Sequence, residues 1–377
     1  MSGALYVPPK ADNGEWASIS LDQAGVDPDK LAVAIAYAEA HESPWPRDLE
    51  DAGNVPGLTQ IEPEPWNEVL GPLKPRGGPA GLILRGGKIA ASWGDPGRID
   101  MTFSIAKSYL AVLTGVAVGD GLIKDIDAPV ADTVDIPKFQ GLQNGRVTWR
   151  HLLTQTSEWT GTLFDKPDQV DHFRDVGANG DNSRKGQKRE LAAPGEFWEY
   201  NDVRVNVLSL ALLHTFKRPL PDVLKERLMD PIGASDGWQW HGYKNSEVSI
   251  DGKLMTSVPG GTHWGGGMWI DSYDHARFAL LIARNGAWGD VQLVDSAWIE
   301  QMRTPIDIYP AYGFLWWLNT NGAHYPQAPE SSFFALGAGA NLIWIDPPRD
   351  IVAVFRWIDQ AHIDGLLGHV TAALEVD

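Results

Sequence analysis

The chain has 377 residues, 43 % of them hydrophobic and 21 % charged, with a formal net charge of −18 from 31 basic and 49 acidic side chains. That length holds two to three domains of roughly 150 residues each, and the usage is that of a globular protein with a substantial core. The acidic surface repels phosphate backbones and anionic membranes, which excludes nucleic acid and membrane as expected partners, and the lack of any cysteine excludes disulfides, thiol nucleophiles and thiolate-bound zinc.

The first residues, MSGALYVPPKADNGEW, show no basic segment followed by an apolar run, and no uncharged apolar run approaches the ~18 residues of a membrane span. A cytoplasmic location is expected. PDKLAVAIAYAEA, 28–40, predicts a helix with Pro28 in its first turn. Residues 41–79 are rich in Pro, Gly and acid and read as an extended surface excursion. GLILRGGKIAASWG, 81–94, places two strand-like runs around Gly86-Gly87, a hairpin signal.

From about 104 the pattern is helical. SIAKSYLAVLTGVAVGDGLI ends near Gly119 or Gly121, and Thr148 is placed to cap a helix within VTWRHLLTQTSEW, 147–159. Residues 200–216 and 220–233 read as two further helices, the second stopped by Pro231 and Gly233. The polar stretch 165–190 reads as a long loop, either mobile or a lid. Beyond 240, strands return with GMWIDS, YGFLWWLN, FFALGAGANLIWIDP and DIVAVFRWID, the last two joined at a Pro-Pro turn. Helices are predicted at 272–286, 296–305 and 360–375. Strands thus flank a helical middle, and one sheet is built from both ends of the chain.

Within the helix that opens at 104, Ser104 and Lys107 lie three residues apart and therefore share a face. Serine becomes a nucleophile when a base lies within hydrogen-bond reach. Lysine serves as that base only when neutral, which asks roughly 4–5 kcal/mol of destabilisation of its charged form, a size that burial supplies. Ile105, Ala106 and Leu110 are apolar neighbours. On spacing alone, a helix-capping serine beside a surface lysine is the favoured reading.

Phrases further along the chain add to the pair. PGEFWEYNDVRVN puts Tyr200 after a Pro-Gly turn and before an apolar helix, and GDGLIKDIDAPV, GGGMWIDSYDHARFALLIARNG and FFALGAGANLIWIDPPRDIVAVF follow in order. Over about residues 80–370 the chain resembles the serine β-lactamase-like superfamily, in the branch of class C β-lactamases, D-alanyl-D-alanine carboxypeptidases, family VIII carboxylesterases and 6-aminohexanoate-dimer hydrolases. The resemblance implies an α+β, β-lactamase/transpeptidase-like fold: an antiparallel sheet flanked by helices, plus an inserted mostly helical domain. Residues 1–103 with 240–377 would form the sheet domain and 104–239 the helical one, with the cleft between them.

The same resemblance makes Ser104 the acylated nucleophile, Lys107 its proton acceptor and Tyr200 the group that relays the proton and activates the deacylating water. The third family element falls at Ala335-Leu336-Gly337, and the N–H groups of Ser104 and Ala338 would form an oxyanion hole. Gly337 and Gly339 suit close approach of backbone to substrate. Two positions depart from the family. Ala335 replaces the usual Lys or His, which weakens a β-lactam or D-peptide assignment and leaves ester or amide cleavage open. Asp202 replaces the Asn of Tyr-x-Asn; a carboxylate beside Lys107 opposes the base role, so Asp202 is expected to turn away, toward Arg204, or to leave Tyr200 as the main base. A small-molecule ester or amide is the expected substrate, with no cofactor and no metal.

Trp159, Trp264, Trp269, Trp316 and Trp317 cluster near the phrases that form the family's cleft, so Trp159 and Trp264 are expected to contact an apolar acyl or ring group, with Asp202 among the substrate-binding residues. GASDG, 233–237, matches a nucleophile elbow, but a helix and Pro231 precede it, so Ser235 reads as part of a turn. His151 reads as a packing or surface group, and His263, beside the Gly run of HWGGGMW, as a pocket-lining or hinge residue.

Overall fold

The computed structural model describes residues 5–49, 64–177 and 180–374. Its centre is a six-stranded sheet. Across it run Trp317–Leu318, Phe333–Gly337, Asn341–Asp346, Ile351–Arg356, Ala80–Arg85 and Lys88–Trp93. Every neighbouring pair is antiparallel. The two ends of the chain meet where Leu82 lies opposite Val354 and Leu84 opposite Val352. The hairpin turns at Gly86 and Gly87, with φ of 61° and 74°, and two successive left-handed residues give the turn whose twist matches the flanking strands.

An antiparallel sheet commonly leaves one face to water, but here the strands Asn341–Asp346 and Ile351–Arg356 are buried at every position. The helix Ser272–Ala283 packs on those two strands, while Val370 and Ala373 of the last helix, Ile363–Leu374, line a small cavity together with Ile83 and Ala91. The helix Pro28–Ala40, capped by Asp27, packs in turn on that last helix.

Two helices set the site. Ile105–Gly119 is buried from Ile105 through Ala117, and Asp202–Phe216 is buried from Asp202 through Leu213. A helix apolar all round belongs in an interior, and these two pack side by side. Their polar residues at the N-terminal ends, Lys107 and Asp202, are thereby forced to find partners inside the protein. Among the described residues, no helix is long and apolar enough to cross a membrane.

Four expectations need correction. The excursion at 41–79 falls partly outside the described residues, yet its described flanks are anchored. Leu49 and Leu70 are buried, and the buried Arg76 guanidinium binds Glu42 at 2.7 Å and the Ser43 carbonyl at 3.0 Å. One arginine fork thus satisfies an irregular backbone that has no ladder of its own. The stretch 165–190, read as a mobile loop or a lid, is anchored too, because Asp168, Asp171, His172 and Lys185 are buried and paired. Its charges find their partners within the protein, which no local pattern reveals. The predicted strand YGFLWWLN reduces to Trp317–Leu318, and the helix from 220 is α-helical over Leu220–Leu224 and continues as a π-turn over Lys225–Met229.

Candidate active site

Ser104 sits at the N-terminus of its helix with φ −67° and ψ −6°, and its side chain makes no capping bond. The hydroxyl is therefore not consumed by the helix end, as the capping-serine reading required. Phe103, just before it, is left-handed at φ 50°, an uncommon conformation for a bulky residue. Edge-on contacts to Trp45 (5.4 Å) and Trp357 (6.1 Å) hold its ring. Thr102 is fixed from both sides: its N–H donates to the Met268 carbonyl at 3.0 Å, and its hydroxyl lies 2.7 Å from His275 Nε2. Burial holds that imidazole well below its ordinary pKa, so it is neutral.

Lys107 Nζ lies 2.7 Å from Ser104 Oγ, 2.6 Å from Asp202 Oδ1 and 3.4 Å from the Gly260 carbonyl. The contacts to Ser104 and Gly260 are hydrogen bonds, and the contact to Asp202 is an ion pair. The side chains of Lys107 and Asp202 are 2 % and 1 % exposed, so the pair is screened from water. Gly260 is placed by the helix that carries Asp202: one turn on, Asn206 Oδ1 accepts from the N–H groups of Gly260 and Gly261 at 3.0 and 2.9 Å. Tyr200 borders the same amine through its ring face, with the centroid 4.7 Å from Nζ, and Arg174 covers the ring at 5.1 Å. Around Tyr200 stand Trp317 at 5.3 Å, Tyr312 at 6.3 Å and Trp198 at 6.4 Å.

Asp202 does not turn toward Arg204, which instead pairs with Glu158 at 2.8 Å. Its carboxylate is shared by Lys107, by Arg174 at 3.3 Å and by His263 Nε2 at 2.8 Å. Burial alone would raise its pKa, but Lys107, Arg174 and His263 outweigh that and hold it well below the ordinary aspartate value. Asp171 behaves likewise: burial raises it, and Arg174, Lys185 and His263 bring it down. Asp171, Asp202 and His263 bring their ligand-type atoms within 4.8 Å of one another. Three buried or nearly buried cations already share those carboxylates, so the group is an ion-pair cluster built from the chain's own side chains.

The substrate-binding expectations change. Trp159 and Trp264 expose no surface; Trp159 Nε1 donates to the Lys138 carbonyl at 2.7 Å and Trp264 Nε1 to the Trp66 carbonyl at 2.9 Å. They support the walls from behind, because each indole found a backbone acceptor inside. Trp316 is likewise enclosed, whereas Trp317 stands beside Tyr200. Asp202 is too enclosed to meet a ligand. Gly337 and Gly339 are close to the chain itself: a Cβ on Gly337 would lie 2.2 Å from the Thr102 carbonyl oxygen, and one on Gly339 2.3 Å from the Trp357 ring. Gly337 so lets the strand Phe333–Gly337 touch the segment that leads into Ser104. Ala335 is buried in that strand, and Ala338 is exposed just beyond it. Ser235 donates to Asp274 at 2.6 Å as part of a turn, and His151 completes a capping box with Thr148.

Sequence reasoning missed Asn206, Arg174, Asp171 and Lys185 as neighbours of the pair, and noted His263 only as a pocket-lining or hinge residue. Asn206 carried a signal, lying four residues after Asp202 on the same face. The others come from separate loops and carried none.

The sheet topology, with a half-buried serine beside a buried lysine, is joined by a match in sequence comparison: the profile of the Beta-lactamase family, described as Beta-lactamase, matches residues 81–357. The chain belongs to that family and has its hydrolase fold. Among solved structures, a protein assigned as a 6-aminohexanoate-dimer hydrolase of Bacillus anthracis is 14 % identical, with a TM-score of 0.58 over 98 % of this chain and 90 % of that one. A penicillin-binding protein homologue of Caulobacter crescentus is 16 % identical, with a TM-score of 0.58 over 92 % and 98 %. A D-stereospecific amidohydrolase of a Streptomyces species is 17 % identical, with a TM-score of 0.51 over 77 % and 89 %. No curated protein sequence matches the chain.

Proposed function

We propose that this protein is a serine hydrolase that cleaves a carboxylic ester or amide through an acyl-enzyme. One observation carries the reading: an uncapped serine hydroxyl at a helix N-terminus lies 2.7 Å from a buried lysine amine. In this reading Ser104 Oγ attacks the acyl carbon while its proton passes to the neutral amine of Lys107. The leaving alkoxide or amine then takes a proton from the Lys107–Tyr200 side, and water, activated on that side, releases the acid and restores Ser104. The N–H groups of Ser104 and Ala338 are assigned to the oxyanion, at roughly 3–4 kcal/mol of transition-state stabilisation per donor. The reacting groups lie between the sheet unit, 1–103 with 240–377, and the helical unit, 104–239. Trp198 and Trp317 beside Tyr200 suit an apolar acyl group.

Ala335 at the third element offers no cation to a substrate carboxylate, which favours esters and amides over β-lactams and D-peptides. A second reading, a catalytically silent member that binds a ligand in the same cleft, is favoured by one contact: the 2.6 Å ion pair that occupies Lys107. A fluorophosphonate probe separates the two. A mass increase on the Ser104 peptide, lost in Ser104→Ala, supports the hydrolase; a folded protein that stays unlabelled supports the binder. Nitrocefin against p-nitrophenyl esters and short amides then ranks the substrate classes.

A further inference from the structure

We propose that Asp202 is a positioning residue that holds Lys107 as the donating ammonium and thereby sets the pH above which Ser104 becomes nucleophilic, with Arg174 as the opposing weight. This rests on the reading of Ser104 as the nucleophile. The geometry is a chain of contacts: Ser104 Oγ, 2.7 Å to Lys107 Nζ, 2.6 Å to Asp202 Oδ1, with Asp202 Oδ2 2.8 Å from His263 Nε2. Facing the amine are Ser104, the Gly260 carbonyl, the Tyr200 ring and Asp202. Facing Asp202 from the 171–185 stretch are Arg174 at 3.3 Å and Asp171, whose Oδ2 accepts from the Asp202 N–H at 2.7 Å and whose Oδ1 lies 3.3 Å from Lys185. From the glycine-rich segment comes His263, 3.9 Å from Asp171.

A paired ammonium cannot take the serine proton. For acylation, one proton leaves Lys107 for solvent before the step. Ser104 Oγ then bonds to the acyl carbon or to the phosphorus of a probe, the ester, amide or P–F bond breaks, and the Oγ proton moves to Nζ. Removing the carboxylate makes the first proton easier to lose. Removing the neighbouring guanidinium leaves more of the carboxylate's charge on Lys107 and makes that proton harder to lose. Opposite charges at one site must therefore shift one limb of the profile in opposite directions.

The test is the rate of Ser104 labelling by a fluorophosphonate as a function of pH, in the full chain, with folding of each variant checked by its melting transition. Asp202→Asn, equal in shape, is expected to move the acid limb down by about one to three pH units, a roughly tenfold faster reaction per unit at a pH on the limb. Arg174→Gln, at a more accessible position, is expected to move it up by about half a unit to one unit, roughly 3–10-fold slower. A residue of purely structural importance lowers the rate at all pH values without moving the limb. If both limbs stay put, or both move the same way, the inference is overturned while the hydrolase reading stands. If wild-type Ser104 is unlabelled at every pH, both fall. Should Asp202→Asn not fold, the Arg174→Gln limb alone decides: an upward shift supports the inference, and none overturns it.

Discussion

Two buried charge networks begin two residues apart in sequence and are built differently. Arg204 and Arg189 bind Glu158, Glu199 and Asp168, with Arg189 clamping both oxygens of Glu158 at 2.7 and 2.5 Å. Here two guanidiniums face three carboxylates, and Arg204 also donates to the Trp159 carbonyl at 3.0 Å. Around Asp202 and Asp171, three cations, Lys107, Arg174 and Lys185, face two carboxylates. The first network uses a cation that cannot lose its proton, in bidentate geometry, and among the described residues it makes no bond to Ser104. The second puts a lysine, whose proton can leave, directly on Ser104 Oγ. The difference separates a network that fixes the fold from one that can take part in proton transfer.

The largest effect that could break this contrast is at the second network's endpoint. Ser104→Ala is expected to reduce turnover of any ester or amide substrate by on the order of 10⁴-fold or more while leaving the urea midpoint unchanged; undiminished hydrolysis would remove the nucleophile. The first network should answer in stability instead. Burial raises the Glu158 carboxyl, but Arg189 and Arg204 outweigh it and hold it below the ordinary value, so Glu158→Gln leaves two arginines short of a charge. It is expected to cost about 3–5 kcal/mol in urea unfolding, with the labelling rate of the folded fraction unchanged.

Gly337→Ala sharpens how the sheet supports the site. The added methyl meets the Thr102 carbonyl oxygen at 2.2 Å, so strand and serine segment must separate. A loss of about 1–3 kcal/mol is expected from overpacking. Displacement of Ser104 adds a fall in labelling rate of roughly 10²-fold, read in the folded protein.

The smallest effect is one of pH. His324 stacks on Trp317 at 4.8 Å, and burial lowers its pKa from 6.5 to about 4. The unfolded chain takes up the proton first as pH falls. The stability contributed by the neutral ring is therefore complete above about 6.5 and is lost as pH falls toward 4. Between pH 6.5 and 5.5 the loss is about 1 kcal/mol, and His324→Gln should flatten that part of the curve of urea midpoint against pH.

What the sequence revealed followed from local physics. Gly86-Gly87, Pro28 in the first turn of its helix and the Thr148 cap each specify a turn or helix end within a few residues, and each stands where expected. The serine–lysine spacing lies on one helix, so its 2.7 Å contact was legible too. The partner of Asp202 was not. Arg204 is nearer along the chain, but two residues on a helix point to different sides, and the true partners come from three other segments. The tryptophans were misplaced for a related reason: nearness to a cleft-forming phrase does not say whether an indole faces the cleft or a carbonyl behind it. The polar stretch 165–190 read as a mobile loop or a lid because partners of its buried charges, such as Asp202 and Arg204, lie elsewhere in sequence.

The most direct measurement is to quench the protein in acid during turnover of a p-nitrophenyl ester and to locate any acyl group by peptide mass spectrometry. The expected result is a mass gain equal to that acyl group on the peptide carrying Ser104, absent from Ser104→Ala. An acyl group on another side chain, or steady hydrolysis with no trapped acyl-enzyme and full activity in Ser104→Ala, would contradict the account.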